Sequence, residues 1–309
     1  MNEIGLIFLV LSTIILFLHS LEGFSKEIQV AGKDTLKDWL FKATANRYTG
    51  FLLGAVFTGI VQSSSAVSAL TVTLIDSGVV TLQKSLPVLL GANVGTATTA
   101  WMVSLKITFI GPVLIVIGGV ASMIPGRFKI LGKPVFYLGF IFFNLNLISQ
   151  SLEPLRTAVW VQVMMSHSNN VLIGGLAGMI TTVLLQSSSV VSGLAVILVQ
   201  QNILQLPGAV AIIIGANMGT TSTALLASMK LSLQSRIAAL ANFGFNLTGA
   251  IIMIMVLPWF MMLLSQLTDK PHEAVAYAHL LMNIMVALML LPFIDKVLKW
   301  LMARFNLVN

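Results

Sequence analysis

The sequence predicts an all-α integral membrane protein built from two inverted-topology repeats, each with a re-entrant helical hairpin and a broken transmembrane helix. Three observations predict it. Only 9% of the 309 residues are charged, 57% are hydrophobic, and the mean hydropathy is +0.97. Two motif pairs recur at one constant offset. Each copy also places a polar tetrapeptide in the middle of an otherwise apolar stretch.

A soluble domain of this length carries about 25% charged residues. With so few charges no water-facing surface can be assembled, so most of the outer surface faces lipid. The excess of 17 Lys and Arg over 10 Asp and Glu would suit nucleic acid in a soluble chain. In a membrane chain it reflects basic residues gathered in cytoplasmic loops, and no nucleic-acid partner is expected. The absence of cysteine excludes disulfides and thiolate metal sites. The apolar run near the N-terminus has no basic leader and no small-residue cleavage site, so it is expected to stay as a transmembrane helix. No linker or low-complexity stretch divides the chain, which is read as one membrane domain, 1–309.

The repeat is in register. QSSSA at Gln62–Ala66 returns as QSSSV at Gln186–Val190, and GANVGT at Gly91–Thr96 returns as GANMGT at Gly215–Thr220, both 124 residues on (186 − 62 and 215 − 91). The same offset pairs Asn46 with Asn170, Gly54 with Gly178, Thr58 with Thr182, Ser68 with Ser192 and Thr99 with Thr223. Upstream, HSLE at His19–Glu22 matches QSLE at Gln150–Glu153 at offset 131. These matches define a tandem duplication. Repeat unit 1 is placed at about 1–124, repeat unit 2 at about 134–264, and a C-terminal helix at 272–309.

Full spans are predicted at 4–21, 86–104, 107–124, 134–150, 207–227, 237–264 and 275–294, each close to the roughly 20 residues that cross hydrocarbon. The stretches 49–75 and 173–199 carry QSSS at their centres. Two short apolar arms around a polar tip predict a re-entrant hairpin, tolerated only where protein or water surrounds the tip. With both as hairpins, 14 basic residues lie inside and only Lys106, Arg156 and Lys270 outside. As single crossings, the split would be 12 to 5. The hairpin topology therefore obeys the positive-inside rule better, with the N-terminus outside and the C-terminus cytoplasmic. It also makes the two units inverted, the arrangement of secondary transporters. Between the first span and hairpin, Leu36, Trp39, Leu40 and Ala43 predict an amphipathic interfacial helix. Leu155–Met165, with Trp160, is its expected outer counterpart.

The chemistry is carried by the polar motifs. Gln62, Ser63, Ser64 and Ser65, with Gln186, Ser187, Ser188 and Ser189, offer amides and hydroxyls that serve an anion's oxygens or a cation. The half-helix after each tip aims N–H groups at an anion. Two glycines four apart in each GAN motif predict a helix break that frees carbonyls. Asn93, Thr96 and Thr99, with Asn217, Thr220, Thr221 and Thr223, then line the cavity. Packing alone is the competing reading for the glycines, as in GxxxG interfaces. Asp76 at the first hairpin's foot reads as an interfacial cap, and Lys106 and Lys230 as snorkelling anchors. No nucleophile–base set, Walker loop or paired intramembrane carboxylates are present, so an enzyme is not expected, and the scarcity of intramembrane acids disfavours proton coupling.

The duplicated QSSS followed by GAN-x-GT resembles the type II sodium–phosphate cotransporters and their bacterial relatives, most strongly over 46–106 and 170–230. ANFGFNL (Ala241–Leu247) and AHLLMNI (Ala278–Ile284) look like that family's His/Phe-Asn helix element. The resemblance implies sodium-coupled phosphate transport with no cofactor beyond sodium as coupling ion, and a multi-pass location in a bacterial inner membrane. The site it implies comprises Gln62–Ser65, Asn93, Gln186–Ser189, Asn217 and neighbouring threonines, with the individual sodium ligands unassigned. The first half is read as lacking the His/Phe-Asn helix. The chain as read is a membrane core without the soluble regulatory domain that some bacterial members carry. The readings left open are another oxyanion such as sulfate or arsenate, an uncoupled ion channel, a non-transporting subunit, import or export, and a homodimer.

Overall fold

A helix satisfies all its backbone groups internally, which is what a lipid environment demands. The computed structural model describes residues 3–32, 46–105, 109–167 and 169–305, and every regular element among them is helical. The first unit runs α1 (Glu3–Ala31), α2 (Arg47–Val61), α3 (Ser64–Asp76), α4 (Leu82–Gly95), α5 (Ala97–Ser104) and α6 (Ile110–Met123). Next come α7 (Arg127–Leu152), a 3₁₀ turn (Glu153–Thr157) and α8 (Val159–His167). Then follow α9 (Val171–Leu185), α10 (Ser188–Gln200), α11 (Leu206–Ser228), α12 (Leu233–Leu267), α13 (Pro271–Leu290) and α14 (Ile294–Arg304).

Among the described residues six helical stretches are long and apolar enough to cross a membrane: Ile4–Ala31, Leu82–Ser104, Arg127–Arg156, Leu206–Ser228, Leu233–Leu267 and Pro271–Arg304. The expected span at 107–124 corresponds to the 14-residue α6, short of a full crossing among the described residues. The expected amphipathic helix at 36–43 and Lys106 lie outside the described residues.

The arms α2 and α3, of 15 and 13 residues, are joined by Gln62 and Ser63 alone. The arms α9 and α10, again 15 and 13 residues, are joined by Gln186 and Ser187. At 1.5 Å per residue each arm is about 20 Å long, too short for a ~30 Å hydrocarbon core. Local chemistry fixes their ends. Asn46 caps α2, its Oδ1 accepting the Tyr48 and Thr49 amides at 2.9 and 2.8 Å. Its repeat partner Asn170 caps α9 through Leu172 and Ile173, at 3.0 and 3.3 Å. Each first arm then stops at a left-handed glutamine, Gln62 (φ 57°) and Gln186 (φ 53°). Ser63 and Ser187 restart the helix, accepting the Ala66 and Val190 amides at 3.2 and 3.4 Å.

Side-chain contacts tie the ends of these arms to neighbouring helices. Arg47, at the start of α2, pairs with Asp295 at 3.0 Å, and Asp295 also accepts from Gln83 at the start of α4. Asp76, which ends α3, accepts the Ser232 amide at 2.7 Å, so it caps α12, as its position at the hairpin foot predicts. In the second unit Asn169 and Gln205, just before α9 and α11, bond at 3.0 Å.

The expected breaks in the GAN helices need correction. GANMGT lies inside an uninterrupted α11, and between α4 and α5 only Thr96 intervenes, with helical dihedrals (φ −60°, ψ −29°). The glycines serve close packing instead. A Cβ on Gly91 would overlap the Phe51 carbonyl of α2, and one on Gly215 would overlap the Gly175 carbonyl of α9. Gly54 and Gly178 return the approach, each lying against a backbone carbonyl of α4 (Val88) or α11 (Ile212). Each first arm is thus pressed onto its GAN helix at the same positions in both units, by small residues spaced four apart.

Candidate functional site

The two polar tips meet. Ser65 Oγ, at the start of α3, donates to the Gln186 carbonyl of the other hairpin at 3.4 Å. Beside this contact is a cavity of about 280 Å³ lined by Gln62, Ser63, Gln186 and Ser187 from the tips. Ser64, Ser188 and Ser189 are buried beside the tips, and their hydroxyls take no hydrogen bond among the described residues.

The third wall of the cavity is α1, through Glu22, Ser25, Lys26 and Gln29. Sequence reasoning did not place these residues at the site. Glu22 and Lys26 are exposed to the cavity and form no ion pair among the described residues. The register match of HSLE with QSLE was the available signal. Ser20 and Ser151 within it are both buried and bond one turn back, at 2.6 and 2.7 Å.

The remaining expected site residues divide differently. Asn93 Nδ2 donates to Asn242 Oδ1 of α12 at 3.3 Å. Asn217 Nδ2 donates to Asn283 Oδ1 of α13 at 3.0 Å, and His279 Nε2 lies 3.2 Å from Asn217 Oδ1. That oxygen can only accept, so the ring nitrogen carries the proton. Thr96, Thr220 and Thr221 bond to carbonyls of their own helices at 3.1, 2.9 and 2.7 Å. Thr99 donates to Gln62 Oε1 at 2.6 Å, whereas Thr223 Oγ1 is buried without a partner. Buried hydroxyls at Thr58, Thr182, Ser68 and Ser192 are also unpartnered, at repeat-related positions. The GAN asparagines are therefore held by α12 and α13, and the tips hold the cavity. Hydroxyls, amides and helix N-termini, without a cluster of acids, suit an anion and a hard cation better than bond-making chemistry. Among the described residues no group of three or more His, Cys, Asp or Glu side chains could hold a metal.

A polytopic helical fold with paired polar hairpins places the chain among multi-pass membrane proteins. It belongs to the Na+/Pi-cotransporter family, whose model matches it twice, over residues 16–150 and 145–292. It is 30% identical over 284 residues to "Uncharacterized protein YqeW" of Bacillus subtilis, covering 90% of this chain and 92% of that one. It is 30% identical over 273 residues to "Putative inorganic phosphate export protein YjbB" of Escherichia coli, covering 87% of this chain but only 49% of that protein. A 100-residue stretch, 31% of this chain and 16% of the relative, is 35% identical to "Sodium-dependent phosphate transport protein 2A" of Ovis aries. No solved structure matches.

The first match runs to residue 150 and so includes most of α7. Its Asn144 serves α1 instead of a GAN motif, donating to Ser20 Oγ at 2.7 Å.

Proposed function

We propose that the chain is a secondary carrier of inorganic phosphate coupled to sodium, with phosphate and ions bound between the two QSSS tips. The observation that carries this reading is the meeting of two repeat-related tips, Ser65 against Gln186, around a cavity that holds both polar motifs. Relatives named for phosphate export and for sodium-dependent phosphate transport support the substrate.

An inverted, re-entrant topology is supported by which groups touch. Arg47, Gln83, Asp295, Asp76 and Ser232, all assigned to the inside by charge counting, meet around one hairpin base. Asn169 and Gln205, assigned to the outside, meet at the other. The two bases lie toward opposite ends of α11, which at 23 residues is about 34 Å long. In this reading repeat unit 1 comprises about 1–124 and unit 2 about 134–264, and rocking of one against the other exposes the tips alternately. Sodium binds first to hydroxyl and carbonyl oxygens and offsets the cost of desolvating the anion. The serine hydroxyls and the N-termini of α3 and α10 then take phosphate.

The test is uptake of labelled phosphate into proteoliposomes under an inward sodium gradient or equal potassium. Sodium-dependent accumulation above equilibrium is expected. Uptake that equilibrates without accumulating would favour a channel, and sulfate or arsenate transported in preference would reassign the substrate.

A further inference from the structure

The two units are alike in sequence but not in how their tips are held. In the first, the Gln62 amide is fully engaged. Its Oε1 accepts from Thr99 Oγ1 at 2.6 Å, and its Nε2 donates to Thr98 Oγ1 at 2.8 Å and to the Gly59 carbonyl. Gln62 is accordingly buried, 7% exposed, and ties its hairpin tip to α5. In the second, the equivalent residues are Gln186, Ser222 and Thr223, each 124 positions on. Gln186 is exposed on the cavity and its amide takes no hydrogen bond among the described residues. Thr223 Oγ1 is buried with no partner. Ser222 and Thr98 otherwise match, each bonded to a motif glycine carbonyl, Gly219 or Gly95, at 2.7 Å.

A buried hydroxyl without a partner is unfavourable, because it gives up its bonds to water and gains none in return. It lies here at the position whose counterpart in the other unit holds a glutamine. We infer that Thr99 and Thr223 are positioning residues for the two motif glutamines and are engaged in turn. The structure has the Gln62–Thr99 bond made and the Gln186–Thr223 bond open, and the opposite access state has them exchanged. This rests on the two-unit carrier reading above. It gives that reading a specific coupling, because the cavity is lined by both glutamines and the amide that leaves a threonine is the one left without a hydrogen bond. A tip therefore presents its glutamine to substrate only when its own brace is open.

The chain has no cysteine, so a single reporter reads the state directly. Ser25 is buried on the α1 wall of this cavity. In purified, reconstituted Ser25→Cys protein, the rate of modification by a membrane-impermeant methanethiosulfonate reports opening of that cavity. Thr99→Val should slow it roughly three- to tenfold, the equivalent of one hydrogen bond, and Thr99→Ser should restore it. Thr223→Val should not slow it, and should melt above the parent because it removes an unpaired buried hydroxyl. An unchanged rate in Thr99→Val, failure of Thr99→Ser to restore it, equal slowing by both valines, or a Thr223→Val that melts lower would each overturn the inference. The assay needs neither phosphate nor sodium. A parent that labels normally yet transports no phosphate would count against the proposed substrate and leave the exchange of braces standing.

Discussion

Gln62 and Gln186 share a left-handed backbone (φ 57° and 53°) that disfavours a residue with a Cβ by about 1–2 kcal/mol. Among the described residues only Asn202 is the other non-glycine with positive φ. Glycine would take this conformation without cost, so glutamine is there for its amide. The sequence makes the motif visible but not the amide's use, because the bond to Thr99 joins residues 37 apart. Lys26 illustrates the opposite blindness. Charge counting places Lys26 only among the inner basic residues, yet it and Glu22 line the cavity beside the tips. It is the one basic side chain lining that cavity and has no carboxylate partner among the described residues. Lys26→Gln is therefore expected to raise the half-saturating phosphate concentration about three- to tenfold at low ionic strength, with Lys26→Arg close to wild type. The effect should shrink at high salt, since the lysine is exposed and its field is screened. Equal phosphate dependence in Lys26→Gln and wild type, measured by proteoliposome uptake at two salt concentrations, would remove the lysine from the substrate's path.

The helices and their ends were legible because their signals are local. Asn46 and Asn170 cap the first arms, QSSS ends them, and apolar composition sets the spans. What stayed hidden was whether the GAN glycines break their helices. Glycine only permits a break, and the packing partner decides. Here the partner is the first arm of the hairpin, whose carbonyls sit where a Cβ on Gly91 or Gly215 would be, so both helices stay wound and the arms approach closely. That geometry gives a contrast within one protein. Gly215→Ala forces α9 away from α11 and should destabilise by about 2–4 kcal/mol, at or above the usual cost of an overpacked core. Gly244, inside α12, has nothing within 4 Å of a Cβ position. Gly244→Ala should instead stabilise by about 0.5–1 kcal/mol through helix propensity. Thermal unfolding of the detergent-solubilised variants separates the two, and similar melting points for both would mean that the close approach of α9 to α11 does not constrain the fold.

For the whole molecule, the duplication and its 124-residue register were plain in the sequence. The long-range pairings that join one unit to the other were not. Asn93 is held by Asn242 of α12 and Asn217 by Asn283 of α13, so both GAN motifs depend on helices that follow the second GAN motif in the chain. Pattern within one unit cannot reveal a partner in another. The proposed topology is open to a direct check. If both QSSS segments are re-entrant, Ser77, just after α3, lies on the inside and Gln205, just before α11, on the outside. If both were single crossings, the two positions would share the outer face. Both are exposed, and the chain's lack of cysteine allows Ser77→Cys and Gln205→Cys to be read one at a time. In right-side-out vesicles an impermeant maleimide should modify Gln205→Cys at once and Ser77→Cys only after permeabilisation. Prompt modification of both would refute the hairpins, and with them the meeting of two oppositely entering tips on which the carrier mechanism depends. The expected pattern would put the hairpin bases on opposite faces. A site held between tips that enter from opposite sides can then open to either side by movement of one unit against the other, without a continuous pore through the protein.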